Sequence, residues 1–142
     1  MIREAIITDS KELSAICTND LGYCCDDKLI EMRIANLNKS RECVFVAVID
    51  DKVVGFIHVE RYDLLYYPSM VNILGLAVSS QVRRQKIGEQ LIASVENWAK
   101  GIGISELRVN SGGSRKEAHM FYRKMGFDNE KNQLRFTKKL SV

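Results

Sequence analysis

Between Val78 and Leu91 the chain reads Val78-Ser79-Ser80-Gln81-Val82-Arg83-Arg84-Gln85-Lys86-Ile87-Gly88-Glu89-Gln90-Leu91. The residues just before, Ile73 to Val78, are apolar and suit a strand; those from Ile87 onward open an amphipathic helix. A strand that stops at a helix start leaves backbone N–H groups aimed at one spot, and the helix dipole makes that spot partly positive. Arg83, Arg84 and Lys86 add full charges, so the chemistry on offer is phosphate binding. A plain basic helix start on a solvated face would use the same residues.

A second constellation follows: Ala118-His119-Met120-Phe121-Tyr122-Arg123-Lys124-Met125-Gly126-Phe127. Ala118, Phe121, Tyr122 and Met125 share one helix face, so the Tyr122 hydroxyl is a core group that needs a partner. Among acid–base candidates Glu60 stands first, with His58 and Asp63 as alternatives; strand alternation puts His58 and Glu60 on one face. Each of the three reads more readily as a surface hairpin residue than as a base. His119 has Arg123 at i+4, not a metal ligand. Cys17, Cys24, Cys25 and Cys43 show no Cys-x-x-Cys spacing, so no metal is expected and the four read as reduced thiols of a cytoplasmic protein.

The elements that must position these residues follow from periodicity and punctuation. Ile2 to Ile7 reads as a strand, then a helix capped by Asp9 or Ser10 and running to about Cys17. Asp26 and Asp27 start a second helix with Leu29, Ile30, Ile34 and Leu37 at helical spacing. Cys43–Ile49 and Val53–Arg61 form a hairpin about Asp50-Asp51-Lys52. Tyr62–Ser69 reads as a loop, and Val71–Val78 as a strand covered on both faces. Ile87, Leu91, Val95 and Trp98 make a helix stripe that Gly101 and Gly103 end. Ile104–Asn110 is a strand. Ser114 caps the next helix with Glu117 at the capping-box position, and Gly126 stops it. A short strand at Phe127 and a last one at Leu134–Leu140 complete the order. This is an α/β or α+β domain with a mixed sheet, spanning 1–142 as one domain.

Composition bounds the rest. Apolar residues make up 46% of the 142 and charged ones 27%, a balance that excludes disorder. No apolar run approaches the ~20 residues of a membrane span, and the start does not read as a signal peptide. The net charge of +3 divides unevenly. Residues 1–81 hold 8 Lys/Arg against 12 Asp/Glu, and residues 82–142 hold 13 against 6. The basic half surrounds the two constellations, which favours a phosphorylated small molecule. Phe121, Tyr122 and Phe127 lie at helix-core spacing rather than interleaved as base-stacking residues, so no nucleic-acid partner is expected.

The two constellations together resemble the GNAT (Gcn5-related) N-acetyltransferases. Arg83-Arg84-Gln85-Lys86-Ile87-Gly88 is similar to the family's pyrophosphate loop, Arg/Gln-x-x-Gly-x-Gly/Ala, with its last glycine present and its first replaced by Lys86. Ala118 to Phe127 is similar to Ala-x-x-Phe/Leu-Tyr-x-x-x-Gly-Phe. The resemblance implies a mixed, mostly antiparallel sheet of about seven strands with four helices. Strands four and five, here Val71–Val78 and Ile104–Asn110, would splay to admit acetyl-CoA (coenzyme A). It implies an acetyl-CoA-dependent N-acetyltransferase that moves the acetyl group to a primary amine, of small-molecule rather than protein origin, in a ternary complex.

Site residues carry over position by position. Gln85, Lys86, Ile87, Gly88 and Glu89, with Arg83 and Arg84, would surround the pyrophosphate. Leu76 would supply the N–H that stabilises the oxyanion, Ala77 and Val78 would run beside the pantetheine arm, and Gly75 would mark the bulge that opens the strand. Asn110, Arg115, Ala118, Phe121, Tyr122 and Lys124 complete the cofactor set. Arg115 stands where asparagine is common and reads equally as a solvated first-turn residue. Tyr122 would protonate the departing thiolate. Asn72 occupies the place of a glutamate that serves some members as base; an amide cannot take a proton, though it can orient a water. Lys86 weakens the loop if its position demands glycine angles. The acceptor would sit among the first two helices, the Tyr62–Ser69 loop and the last hairpin, with Tyr62, Tyr66 and Tyr67 as an aromatic wall. A non-catalytic acyl-CoA-binding regulator on the same fold is the alternative, and a homodimer stays open.

Overall fold

The structure is a computed structural model that describes residues 1–82 and 85–141. Arg83 and Arg84 therefore lie outside the described residues. The chain divides into two compact units, 1–110 and 111–142.

In the first unit the order is β1 (Ile2–Glu4), α1 (Ser10–Ile16), α2 (Asp27–Ala35), β2 (Glu42–Ile49), β3 (Lys52–Leu64), β4 (Tyr67–Val78), α3 (Ile87–Gly101) and β5 (Leu107–Val109). The strands form one sheet in the order β1-β2-β3-β4-β5. All neighbours are antiparallel except β4 and β5, which are parallel. On one face α1 packs Leu13 and Ile16 onto Val46, Val53, Phe56 and Ala77. On the other, α3 buries Ile87, Leu91, Ile92, Val95 and Ala99, as its apolar stripe requires. Gly55 lets that helix approach: a Cβ there would stand 3.3 Å from Ile87 Cγ2 and 3.1 Å from the Ala77 carbonyl.

Local chemistry sets several boundaries away from the sequence expectation. β1 stops at Glu4 because the Asp9 carboxylate accepts the Ile6 N–H at 2.8 Å and both Arg3 guanidinium nitrogens at 2.8 and 2.9 Å. That turns the chain into a short 3-10 turn, Ile7–Asp9, and leaves Asp9 without a capping bond to α1. Asp26 does cap α2, accepting from the Lys28 N–H at 2.9 Å. The β2–β3 hairpin turns on Asp50 and Asp51, both left-handed at φ 49° and 64°, the geometry of a two-residue type I′ turn.

The expected loop at Tyr62–Ser69 is instead the end of a long β3–β4 hairpin turning at Leu65 and Tyr66. Tyr62 pairs with Met70 and Leu64 with Tyr67, so aromatic and branched residues continue the ladder. Pro68 is tolerated because β4 has β5 beside it only at Val71–Ile73. Asp63 ties this end together: it accepts from Ser69 Oγ, and from Arg41 and Arg61, each at 3.2 Å.

The second unit holds α4 (Lys116–Lys124), which ends in Gly126 at φ +96° as expected. Its N-cap is Arg115, with no side-chain cap, rather than Ser114. Tyr122 packs edge-on between Phe121 and Phe127, with ring centroids 5.5 and 5.4 Å apart. The strands expected at Phe127 and Leu134–Leu140 are not formed, so the sheet has five strands among the described residues rather than about seven. Leu134, Phe136 and Leu140 are exposed; alternation supplies a strand-like pattern, but a strand exists only when a neighbour pairs with it.

Candidate active site

Three features of the first unit converge on β4. The first is a break in its pairing. His58 faces Gly75 while Val59 faces Ile73, so Leu74 is the extra residue of a β-bulge. Leu74 is 49% exposed. Pairing with β5 ends at the same level, Ile73 with Val109. Beyond it, Leu74 to Val78 has β3 on one side and no strand on the other among the described residues. An open strand edge of this kind takes an extended ligand through its backbone groups. Leu76, Ala77 and Val78 all lie on this stretch, facing Ile57, Phe56 and Gly55.

The second feature is the start of α3. Lys86 is its N-cap residue, at φ 58° and ψ 29°, and its side chain makes no capping bond. The first-turn amides of a fifteen-residue helix thus open without a side-chain cap from that position, which suits an anionic ligand. Gln85 and Lys86 are exposed, Gly88 and Glu89 half-buried, and Ile87 is packed in the core. Lys86 therefore does adopt the left-handed angles that glycine adopts without strain. On the far side of the loop, Asp20 Oδ1 accepts the Ser80 N–H at 3.0 Å and fixes its entry.

The third feature is a polar row crossing the sheet. Glu42 pairs with Glu60, Glu60 with Asn72, and Asn72 with Arg108, so the four belong to one face at one level. This face is apolar under α1 and polar here. Glu60 Oε2 accepts from Asn72 Nδ2 at 3.0 Å. Asn72 Oδ1 accepts from Arg108 at 2.9 Å, and Arg108 donates to Asn110 Oδ1 at 3.3 Å. The guanidinium lies 4.4 Å from the centre of the Tyr62 ring. His58 Nε2 is 3.0 Å from Glu42 Oε1, and both line a cavity of about 200 Å³ with Met32 and Leu37.

The structure thus brings Glu60 and Asn72 together and gives Glu60 an orienting partner. It commits Asp63 to the hairpin cluster and His58 to Glu42. In the second unit, Ala118, Phe121 and Tyr122 are half-buried, whereas Arg115 and Lys124 are exposed. Burial pushes the Tyr122 phenol above its ordinary range, with Arg115 pulling the other way, so the hydroxyl keeps its proton through neutral pH. Sequence reasoning missed Arg108, Glu42 and Gly55. A lone arginine between Leu107 and Val109 was the available signal for the first. It also missed Ser111, whose Oγ is buried without a hydrogen-bond partner among the described residues.

A mixed sheet whose two parallel strands stop pairing at a bulge, beside a helix start, is the arrangement that the resemblance to the N-acetyltransferases implies. The chain belongs to the GNAT family: the family's model, described as acetyltransferase (GNAT) domain, matches residues 40–129. It is similar to the aminoalkylphosphonate N-acetyltransferase of Salmonella typhimurium, 32% identical over 96 residues, covering 67% of this chain and 61% of that protein. The chain thus spans less than two thirds of that relative's length. Among solved structures, a transcriptional regulator from Bacillus halodurans C-125 superposes with a TM-score of 0.84 at 23% identity, covering 97% of this chain and 99% of that one. AAC(6')-Iy in complex with the bisubstrate analogue CoA-S-monomethyl-acetylneamine superposes at 0.83 and 18% identity, covering 99% and 98%. At these identities the structures speak to the fold.

Proposed function

We propose that the 1–142 chain acts as one domain that transfers an acetyl group from acetyl-CoA to the primary amine of a small molecule, in a reducing cytoplasmic compartment. The observation that carries this reading is the bulge at Leu74, beyond which β4 presents an open edge leading to the start of α3. The aminoalkylphosphonate acceptor of the Salmonella typhimurium relative and the bisubstrate analogue bound to AAC(6')-Iy support a small amine acceptor and a CoA donor.

In this reading the first-turn amides of α3, with Arg83, Arg84, Gln85 and Lys86, hold the diphosphate, and Ala77 and Val78 align the pantetheine arm. Acetyl-CoA would supply the activated thioester when bound. A primary amine with pKa about 10.4 is neutral about once in a thousand at pH 7, so Glu60, oriented by Asn72, takes its proton directly or through a water. The amine nitrogen then bonds to the carbonyl carbon. The Leu76 N–H stabilises the charge that develops on the carbonyl oxygen. As the carbon–sulfur bond breaks, Tyr122 gives its proton to the sulfur, and the second proton shed by the nitrogen returns to the tyrosinate through a water. The products are an amide and the free thiol.

Acetyl-CoA should raise the melting temperature, and coenzyme release with a panel of small amines should show turnover. Tyr122→Phe should lower kcat by about 100-fold, the low end for general acid catalysis, because a thiolate leaves tolerably without a proton. Unchanged kcat across pH would remove Tyr122 from this role. A thermal shift with no turnover on any amine would favour the non-catalytic regulator, a reading kept alive by the left-handed Lys86 in the phosphate loop.

A further inference from the structure

We infer that the acceptor carries an acidic group beside its amine, and that Arg108 binds that group. The inference rests on the acetyltransferase reading and narrows its acceptor to short amino acids or aminoalkyl phosphonates and sulfonates.

Among the described residues four arginines are matched with carboxylates: Arg3 with Asp9, Arg41 and Arg61 with Asp63, Arg123 with Glu130. Arg108 is held as firmly but differently. Its oxygen partners are the neutral amides of Asn72 and Asn110, its plane rests near Tyr62, and no carboxylate stands within ion-pair distance of it among the described residues. A guanidinium has five N–H donors. Two are committed, so three donors and a full charge remain on a pre-positioned fork, the arrangement that recognises an oxyanion.

Asn72 explains how the charge is preserved. Its Nδ2 faces Glu60 and its Oδ1 faces Arg108. A carboxylate in its place would neutralise the arginine. The amide instead keeps carboxylate and guanidinium apart, with their strands two places apart in the sheet, about 10 Å between backbones. Side chains on one face close part of that gap. A zwitterion whose amine and acid are separated by two or three carbons would lie over the Asn72 amide, with its ammonium toward Glu60 and its acid toward Arg108.

The test uses the full chain with saturating acetyl-CoA, and 2-aminoethylphosphonate, β-alanine, taurine and n-propylamine as acceptors. At least one acid-bearing amine should exceed propylamine in kcat/KM by about 10- to 100-fold, the worth of a charge-assisted pair. Arg108→Gln should raise KM for that acceptor by a similar factor with little change in kcat, narrow its advantage over propylamine, and be partly rescued by Arg108→Lys. Equal use of propylamine by the unmodified protein overturns the inference without any variant, and so does Arg108→Gln slowing all four alike. Saturation transfer from protein to each acid gives a readout independent of turnover. Acid binding lost in Arg108→Gln, with no amine acetylated, would sink the transferase reading and keep Arg108 as the acid site. Acetylation of propylamine with no acid bound would do the reverse. Absence of binding by all three acids overturns the inference in either case.

Discussion

Lys86 offers the sharpest test of the phosphate loop, because one residue combines a strained backbone with a charge. Its φ of 58° lies in the left-handed region, where an L side chain costs about 1–2 kcal/mol relative to the right-handed region. Glycine removes that cost but adds unfolded-state freedom worth about 0.4–1 kcal/mol. Lys86→Gly should therefore stabilise the fold by about 0.5–1 kcal/mol, a rise in Tm of roughly 2–4 °C for a chain of this size. Lys86→Ala keeps a Cβ in the same conformation and should leave stability unchanged. The pair separates backbone from charge in binding too. An exposed ammonium contributes about 0.2–1 kcal/mol to an ion pair, so both variants should bind acetyl-CoA up to about 5-fold more weakly at low salt. Urea titration and calorimetry read the two quantities. A Lys86→Gly protein no more stable than the original, or a Lys86→Ala protein clearly less stable, refutes the strain argument.

Two further outcomes follow from buried groups. Asp9 is 4% exposed, and its carboxyl is held below the usual range chiefly by the Arg3 hydrogen bonds. A depressed carboxyl contributes stability that is fully present above its unfolded pKa of about 3.9 and is lost as pH falls through the folded value. Asp9→Asn should thus cost about 1.5–3 kcal/mol between pH 5 and 8, and the gap should close below about pH 4; urea melts against pH check this. Burial pushes the Cys17 and Cys43 thiols up to about 11, whereas Cys24 is exposed. At pH 8 alkylation should reach Cys24 at least about 10-fold faster than Cys17 or Cys43, because the thiolate is the reacting form. Peptide mapping by mass spectrometry that finds Cys43 labelled first would contradict the packing of β2.

What the sequence made legible was local chemistry repeated over enough residues. The α3 stripe from Ile87 to Trp98, the Asp26 cap and the Gly126 stop depend on neighbours within a turn or two, and each is where periodicity puts it. The bulge beside Gly75 was readable because a glycine interrupts an apolar strand. The hairpin through Tyr62–Ser69 was not, because Pro68 reads as a loop residue until the position of β5 reveals that β4 has one neighbour there. Asp9 or Ser10 was read as the cap of α1; Asp9 does hold the N-cap position, but its carboxylate binds Arg3, six residues back, and the Ile6 N–H instead of the helix amides. Leu134–Leu140 shows the opposite failure: its alternation promises a strand, and alternation alone provides no ladder.

The polar row was hidden for a deeper reason. Glu42, Glu60, Asn72 and Arg108 are separated by 18, 12 and 36 positions, and only the register of three strand pairs puts them on one level. Read singly, Asn72 is a lost base. In register it is a spacer: an amide can donate to a carboxylate and accept from a guanidinium at once, whereas neither a carboxylate nor an ammonium can do both without cancelling a charge. The residue that most weakened the catalytic reading of the sequence is therefore the one that holds opposite charges apart across a half-buried face. In the proposed reaction the proton acceptor has moved one strand over, from β4 to Glu60 on β3, and Asn72 serves chemistry by positioning both ends of the acceptor.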